Sequence, residues 1–230
     1  METIFSHIAI IVAALNEEHG IGHTLRELQN FLRKSQVVVV DGNSVDKTAE
    51  IAKKSGAEVV FQKGVGKGDA MFQGIQKLSS HVKYVVFVDA DFTYPVERVP
   101  KMIEILEQES DVGMVIGDRF NGEINLQKSW GNAFYLGNRL IALAQHTFNG
   151  IKLSDPLSGL RVVRANILKN WRPRSQGFDI EAEINFFVER AGYRIVELPI
   201  DYRKRLGKKK LKLHHGIGIL KRIISESFAM

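Results

Sequence analysis

Cysteine is absent from the 230-residue chain. That excludes disulfides, thiolate-bound zinc and a thiol nucleophile. Proline is scarce, with five residues, so no proline-rich linker divides the chain. No run approaches the roughly 18 consecutive apolar residues of a transmembrane helix. Ile8–Leu15 is apolar, but it has neither a basic leader nor a cleavage motif, and it reads as a strand. There is no nucleic-acid motif and no aromatic platform interleaved with basic residues, so no nucleic-acid partner is expected. What remains is globular composition, 44% hydrophobic and 25% charged, in a length that suits one sizeable domain. The net charge of +6 is a local excess. Arg203, Lys204, Arg205, Lys208, Lys209, Lys210 and Lys212 put seven bases in ten residues.

Short β-rich runs alternate with helical spacing. Strands are expected at 8–15, 36–40, 58–61, 84–88, 112–116 and near 194–198. Helices are expected at 16–32, 46–55, 67–78, 96–108, 128–149 and near 178–190. This alternation implies βαβ units, a mostly parallel sheet and an α/β fold. Ligands in such sheets bind beyond the carboxyl ends of the strands. Three of these ends run into polar clusters: Asn16-Glu17, Asp41-Gly42-Asn43-Ser44 and Asp89-Ala90-Asp91.

The run Tyr84-Val85-Val86-Phe87-Val88 stops at Asp89 and Asp91. In extended geometry, residues two apart face the same way, and two adjacent carboxylates repel unless a cation lies between them. All-oxygen ligation suits Mg²⁺ or Mn²⁺ completed by water and substrate phosphates. An acid pair before the helix near Pro95 reads equally well as turn or cap residues. Gly64-Val65-Gly66-Lys67-Gly68 opens a helix and could meet an anion with its amides and Lys67. It is neither a Walker A loop nor a dinucleotide fingerprint.

Taken together and in order, Ala13–Glu18, Asp41–Thr48, Gly64–Ala70 and Asp89–Pro95 resemble family 2 glycosyltransferases of the GT-A fold. Gly117–Phe120, Asp155–Arg161, Gly177–Glu183 and Tyr202–Leu211 narrow the resemblance to the dolichyl-phosphate mannose synthase group. The resemblance spans about Ile8 to Leu213. It implies a Rossmann-like GT-A sheet over residues 1–202, followed at 203–230 by a basic amphipathic segment that serves as a membrane-surface element or active-site lid. It implies that Ala13, Leu15, Asn16, Glu17 and Asp41 surround the nucleoside and that Lys67 lies near the base or diphosphate. Asp89 and Asp91 would hold Mg²⁺ or Mn²⁺, with the Ala90 backbone near the ribose. Arg119 would face the acceptor phosphate, Ser158 and Gly159 would line the sugar pocket, and Glu183 would sit under the reacting centre. Arg205 and Lys210 would close over the diphosphate.

The implied reaction moves a hexose from GDP-mannose, or alternatively UDP-glucose, to dolichyl or polyprenyl phosphate. Anomeric inversion would give a β-linked product. The chain would sit peripherally on the cytoplasmic face of a membrane, on its own or through a membrane-anchoring partner. A soluble transferase with a hydroxylated acceptor would instead need a carboxylate base, such as Glu183 or Asp179. The sequence departs from the group's pattern at Ala13–Leu15, which lacks an aromatic, and at Gly42, where an acid is usual. It departs again at Phe92-Thr93 after the second aspartate and at Lys209 before Lys210-Leu211.

Overall fold

The computed structural model describes residues 5–120 and 133–228. Seven strands form one sheet: β1 (Ile8–Ala14), β2 (Gln36–Asp41), β3 (Glu58–Phe61), β4 (Tyr84–Asp89), β5 (Val112–Asp118), β6 (Arg161–Arg164) and β7 (Arg194–Pro199). Their order is β3-β2-β1-β4-β6-β5-β7. All pairings are parallel except those of β6, which runs antiparallel to both β4 and β5.

The β-branched runs are buried on both faces, as a sheet covered on two sides requires. With a period of two, Ile8, Ile10, Val12, Val86 and Val88 face one layer, and Ile11, Val85 and Phe87 face the other. The first layer is filled by α1 (Ile21–Phe31) and α4 (Val99–Gln108), through Leu25, Leu28, Met102 and Leu106. The second is filled by α3 (Gly66–Ile75) and α7 (Ile180–Arg190), through Met71, Ile75, Ile184 and Val188. The short α2 (Thr48–Lys54) follows β2, and the single-turn α6 (Ala165–Leu168) follows β6. α5 (Ala133–Asn149) and α8 (His215–Ser227) pack together over α7, joined by Ile141, Ala144, Ala182, Ile219 and Ile223.

One expectation is corrected, one lies partly outside the described residues, and one strand is new. The first helix starts at Ile21, not Asn16, because residues 16–20 form a turn in which Asn16 has φ +50°. The helix expected over 128–149 is described from Ala133; its first residues lie outside the described residues. β6 was not anticipated. It is only four residues long, and its Arg161 is buried, donating to the carbonyls of Ser158 and Pro156 and to Asn185 Oδ1.

Parallel register aligns the rim. Ala14 pairs with Asp41 and Ala13 with Asp89, so the ends of β2 and β4 flank the end of β1.

Candidate active site

The strand geometry that would aim Asp89 and Asp91 alike does not apply, because β4 ends at Asp89 and the chain turns. Phe92 takes φ +66°, in the left-handed region that costs a bulky side chain about 1–3 kcal/mol. The start of α1 holds this turn. Thr24 Oγ1 donates to Ala90 O (3.3 Å) and accepts from Phe92 N (3.1 Å). Gly20 permits the approach, since a Cβ there would lie 2.7 Å from Ala90 O and Asp91 Cα.

The two aspartates therefore have separate partners. Asp89 Oδ1 meets Lys67 Nζ at 2.6 Å, and the same ammonium meets Glu181 Oε1 at 2.6 Å. Burial alone would lower the Lys67 pKa, but Asp89 and Glu181 outweigh it and raise it above the usual lysine range. Burial likewise opposes ionisation of Asp89, yet Lys67, with Arg205 and Arg119 adding, holds its pKa below the usual value. Asp91 is buried. Its Oδ1 accepts from Thr93 N (3.1 Å) and Thr93 Oγ1 (2.6 Å), and its Oδ2 from Arg205 Nε (2.8 Å) and Nη2 (2.5 Å).

The basic segment after β7 folds over this rim. Arg203 N donates to Thr93 O and Leu206 N to Asp91 O, while the Arg203 guanidinium grips Glu27 and Glu97. Arg205 Nη2 also reaches Glu17 Oε1 at 3.0 Å, and Lys210 Nζ bonds the same oxygen. Burial pushes the Glu17 carboxyl up in pKa, against the pull of Lys210 and Arg205. The turns after β1 and β2 interlock: Asn16 N donates to Ser44 Oγ (2.8 Å), Glu17 N to Thr48 Oγ1 (2.7 Å) and Ser44 N to Asp41 Oδ1 (2.7 Å). Glu17 Oε2, Asp41 Oδ2 and Ser158 Oγ are buried without a hydrogen-bond partner. Orphaned acceptors of this kind on the ligand rim are the groups a polar ligand would satisfy.

On the other side of Asp89, Gly159 N donates to Tyr94 Oη at 2.6 Å. A Cβ on Gly159 would collide with Asp89 Oδ2. Lys67, itself held by Glu181, fixes that carboxylate, and Gly159→Ala should displace it from this position. Hexose transfer by the variant is expected to fall by about 10²-fold with little change in melting temperature. A fall of less than threefold would show that Asp89 can yield.

Arg119 lies on β5's outgoing end. Its Nε and Nη2 each sit 2.6 Å from Asp155, and its backbone N donates to Asp155 Oδ2 at 3.1 Å. Its guanidinium lies 5.3 Å from the Tyr202 ring centre and 5.4 Å from that of Phe120. Asp155 is itself placed by Glu197, which accepts from Ser154 N (2.7 Å) and Asp155 N (2.6 Å). Lys209 Nζ sits 2.9 Å above the Phe134 ring centre. Burial lowers the Lys209 pKa, and the charges of Arg119 and Arg205 lower it further.

Several expected roles change with these contacts. Lys67 is not a free anion-binding lysine but is held between two acids. Glu183 accepts from Arg174 N (2.8 Å) and Ser175 N (2.7 Å), so it braces the loop before α7. The acid of that helix that reaches the Asp89 cluster is Glu181. It is buried, and no role was expected of it from the sequence. Sequence reasoning also missed Asp155, Thr93, Tyr202 and Lys209. Their signal was present, since each stands inside or beside a quoted motif, but nothing local tells which member points inward.

A divalent ion fits the chemistry of this donor set: Asp89, Asp91 and the Thr93 hydroxyl offer hard oxygens. No group of three or more metal-ligating side chains is assembled among the described residues. The ion would therefore draw its remaining ligands from water and donor phosphates, and Arg205 would have to release Asp91.

The sequence profile described as "Glycosyl transferase family 2" matches residues 9–172. The chain belongs to that family. Among curated family relatives, it is 32% identical over 213 residues to "Dolichyl-phosphate hexose transferase" of Haloferax volcanii, covering 91% of this chain and 89% of that one. It is 27% identical over 216 residues to "Dolichol-phosphate mannosyltransferase" of Pyrococcus furiosus, covering 89% of this chain and 59% of that one. Among solved structures, glucosyl-3-phosphoglycerate synthase from Mycobacterium tuberculosis in complex with UDP superimposes with a TM-score of 0.76. That match has 22% identity and covers 96% of this chain and 80% of that one. The family makes the chain a glycosyltransferase, and the structural likeness shows the GT-A fold.

Proposed function

We propose that the chain transfers a hexose from a nucleotide-sugar to a polyprenyl phosphate such as dolichyl phosphate, inverting the anomeric centre. The observation that carries this reading is the cationic cluster facing the acidic rim. Arg119 is oriented by Asp155 and flanked by Tyr202, and Lys209 stands beside it. A phosphate is recognised by such charge-assisted contacts and is already an ionised nucleophile at neutral pH. A hydroxyl acceptor would need a base, yet the nearby carboxylates are engaged: Asp155 by Arg119, Glu197 by two backbone amides and Glu183 by two more.

GDP-mannose is the preferred donor and UDP-glucose the alternative. Asp41 Oδ2 and Glu17 Oε2 are the acceptors that base or ribose donors would satisfy. Asp89 and Asp91 would hold Mg²⁺ or Mn²⁺, which supplies charge neutralisation for the leaving diphosphate. Arg205 and Lys210, now occupying Asp91 and Glu17, would then turn to the diphosphate. Ser158 and Gly159 would line the sugar, Gly159 keeping Asp89 close. Such an acceptor resides in a bilayer, so this reading has the chain working at a membrane surface, with the cytoplasmic face as the proposed side.

The test incubates the purified chain with Mg²⁺ or Mn²⁺ and labelled GDP-mannose or UDP-glucose, with and without dolichyl phosphate. Label entering the organic phase only with lipid is the expected result. Turnover with water-soluble acceptors alone would overturn the reading. Lys209→Met should raise the acceptor KM about tenfold while kcat stays within a few-fold, because it removes one of two phosphate-facing cations. An unchanged acceptor KM would remove Lys209 from the site.

A further inference from the structure

Two helices begin beside Asp89. α3 brings Lys67 near its start, and α7 brings Glu181 in its first turn, where a carboxylate is favoured. The Lys67 ammonium lies 2.6 Å from Asp89 Oδ1 and 2.6 Å from Glu181 Oε1, so it is shared equally by two acids. The acids differ in access. The Asp89 side chain is 27% exposed and that of Glu181 only 5%. Asp89 is the acid a ligand reaches, and Glu181 is the acid it does not.

The protein side of this trio is not tightly filled. Lys67, Asp89, Glu181, Gly159 and Arg161 line a cavity of about 10 Å³, on the order of one water. Arg161 gives that wall a second cation. Burial lowers the Arg161 pKa, and Glu181 is the largest charge opposing it.

An ammonium and a divalent ion repel each other when they share one carboxylate. Lys67 must therefore leave Asp89 when that carboxylate is given over to a metal. A buried ammonium left without a counter-charge is strongly unfavourable. Glu181 avoids that state, because it already holds the other side of the same ammonium. A small movement of Nζ toward the cavity, off Asp89 and onto Glu181, clears Asp89 and leaves no charge unpaired.

We propose that Glu181 is a positioning residue for metal binding, which retains Lys67 when Asp89 turns to a divalent ion. It acts through Lys67 and touches neither the ion nor the nucleotide-sugar. The inference rests on the reading of Asp89 and Asp91 as the metal-holding pair.

The experiment titrates Mn²⁺ alone into the full chain and counts free ion by electron paramagnetic resonance, then repeats the titration with GDP or UDP present. Glu181→Gln should raise the Mn²⁺ dissociation constant about tenfold, since Lys67 is then left with Asp89 as its carboxylate partner. Lys67→Met combined with Glu181→Gln should return the constant to within about threefold of wild type, because no ammonium then contests Asp89. A residue that only braced α7 would show no such recovery. Circular dichroism checks that both variants fold, and the double variant exchanges a buried ion pair for neutral groups of similar volume, which interiors tolerate.

An unchanged dissociation constant in Glu181→Gln would overturn the proposal. So would a double variant that binds as weakly as the single one, since Glu181 would then be a metal ligand itself or a structural brace. A wild type that binds no Mn²⁺, with or without nucleotide, would remove the metal reading and the proposal together. The two earlier results remove the proposal alone.

Discussion

Asp91→Ala is expected to reduce hexose transfer by about 10³-fold or more, in line with the loss of a principal electrostatic contact to a departing diphosphate. The side chain is buried and engaged by Thr93 on one oxygen and Arg205 on the other. Its loss does two things. It removes a carboxylate that offers hard oxygens to a divalent ion, and it leaves Glu17 as the remaining acidic partner of Arg205. Arg205 keeps Glu17 Oε1 at 3.0 Å, and the backbone bond from Leu206 N to Asp91 O is unaffected by the substitution. The basic segment should therefore stay folded over the site, and circular dichroism and melting should change little. Steady-state rates at saturating Mg²⁺ or Mn²⁺ check the prediction; a variant retaining more than about a tenth of wild-type kcat/KM would remove Asp91 from the reaction.

Asp155→Ala is expected to be the most destabilising single change near the site, by about 3–5 kcal/mol, because it leaves the Arg119 guanidinium without the counter-charge that paired it. Asp155 is fully buried and accepts three bonds from Arg119, two from the side chain and one from the backbone. Burial works against the Arg119 charge, and Asp155 is the largest influence restoring it. For a chain of this size that loss corresponds to a fall in melting temperature of roughly 10 °C. Glu197 would offset a little of the loss, since burial and the Asp155 charge both push its carboxyl up in pKa and the amide of residue 155 survives the substitution. Arg119→Met together with Asp155→Ala should recover part of the stability without recovering transfer, because the double change removes both buried charges. Thermal melts of the three variants decide the matter: equal melting temperatures for the wild type and Asp155→Ala would mean that water already satisfies Arg119.

The parallel part of the fold was legible because its signals are local. Runs such as Val37–Val40 and Val85–Val88 are apolar throughout, as strands buried on both faces must be, and glycine or asparagine marks most of the turns. β3 falls at 58–61 as expected. β6 was illegible because four residues flanked by arginines carry no period, and its place between β4 and β5 depends on pairing with strands about 75 and 50 residues away in sequence. The rim was legible as far as Asp41, Asp89 and Glu17, since acids at strand ends announce themselves. Which cation answers which acid was not. Lys67 reads as an anion binder beside glycines, but Glu181, brought in by α7, claims it. That contact is long-range, and nothing in Gly177–Glu183 separates the acid that reaches Lys67 from the one that braces the preceding loop. Arg205 and Lys210 were expected over a diphosphate, and their hold on Asp91 and Glu17 follows from the same attraction acting on the rim's own carboxylates.

The reversed strand has a consequence for how the chain can change. β5 ends at Asp118 and β6 begins at Arg161, next to it in the sheet and paired antiparallel with it from Ile116 back to Met114. The described residues between them, 119–120 and 133–160, lie outside the sheet and carry Arg119, Asp155, Ser158, Gly159 and all of α5. The groups assigned to the acceptor thus belong mostly to a single excursion whose two ends are already side by side. The groups assigned to the nucleoside and the metal, Glu17, Asp41, Asp89 and Asp91, are set by the parallel strands before it. A homologous segment grafted between residues 118 and 161 would leave every strand pairing in place. Exchange of that cassette is therefore the shortest route by which one scaffold could keep its nucleotide-sugar and change what receives the sugar.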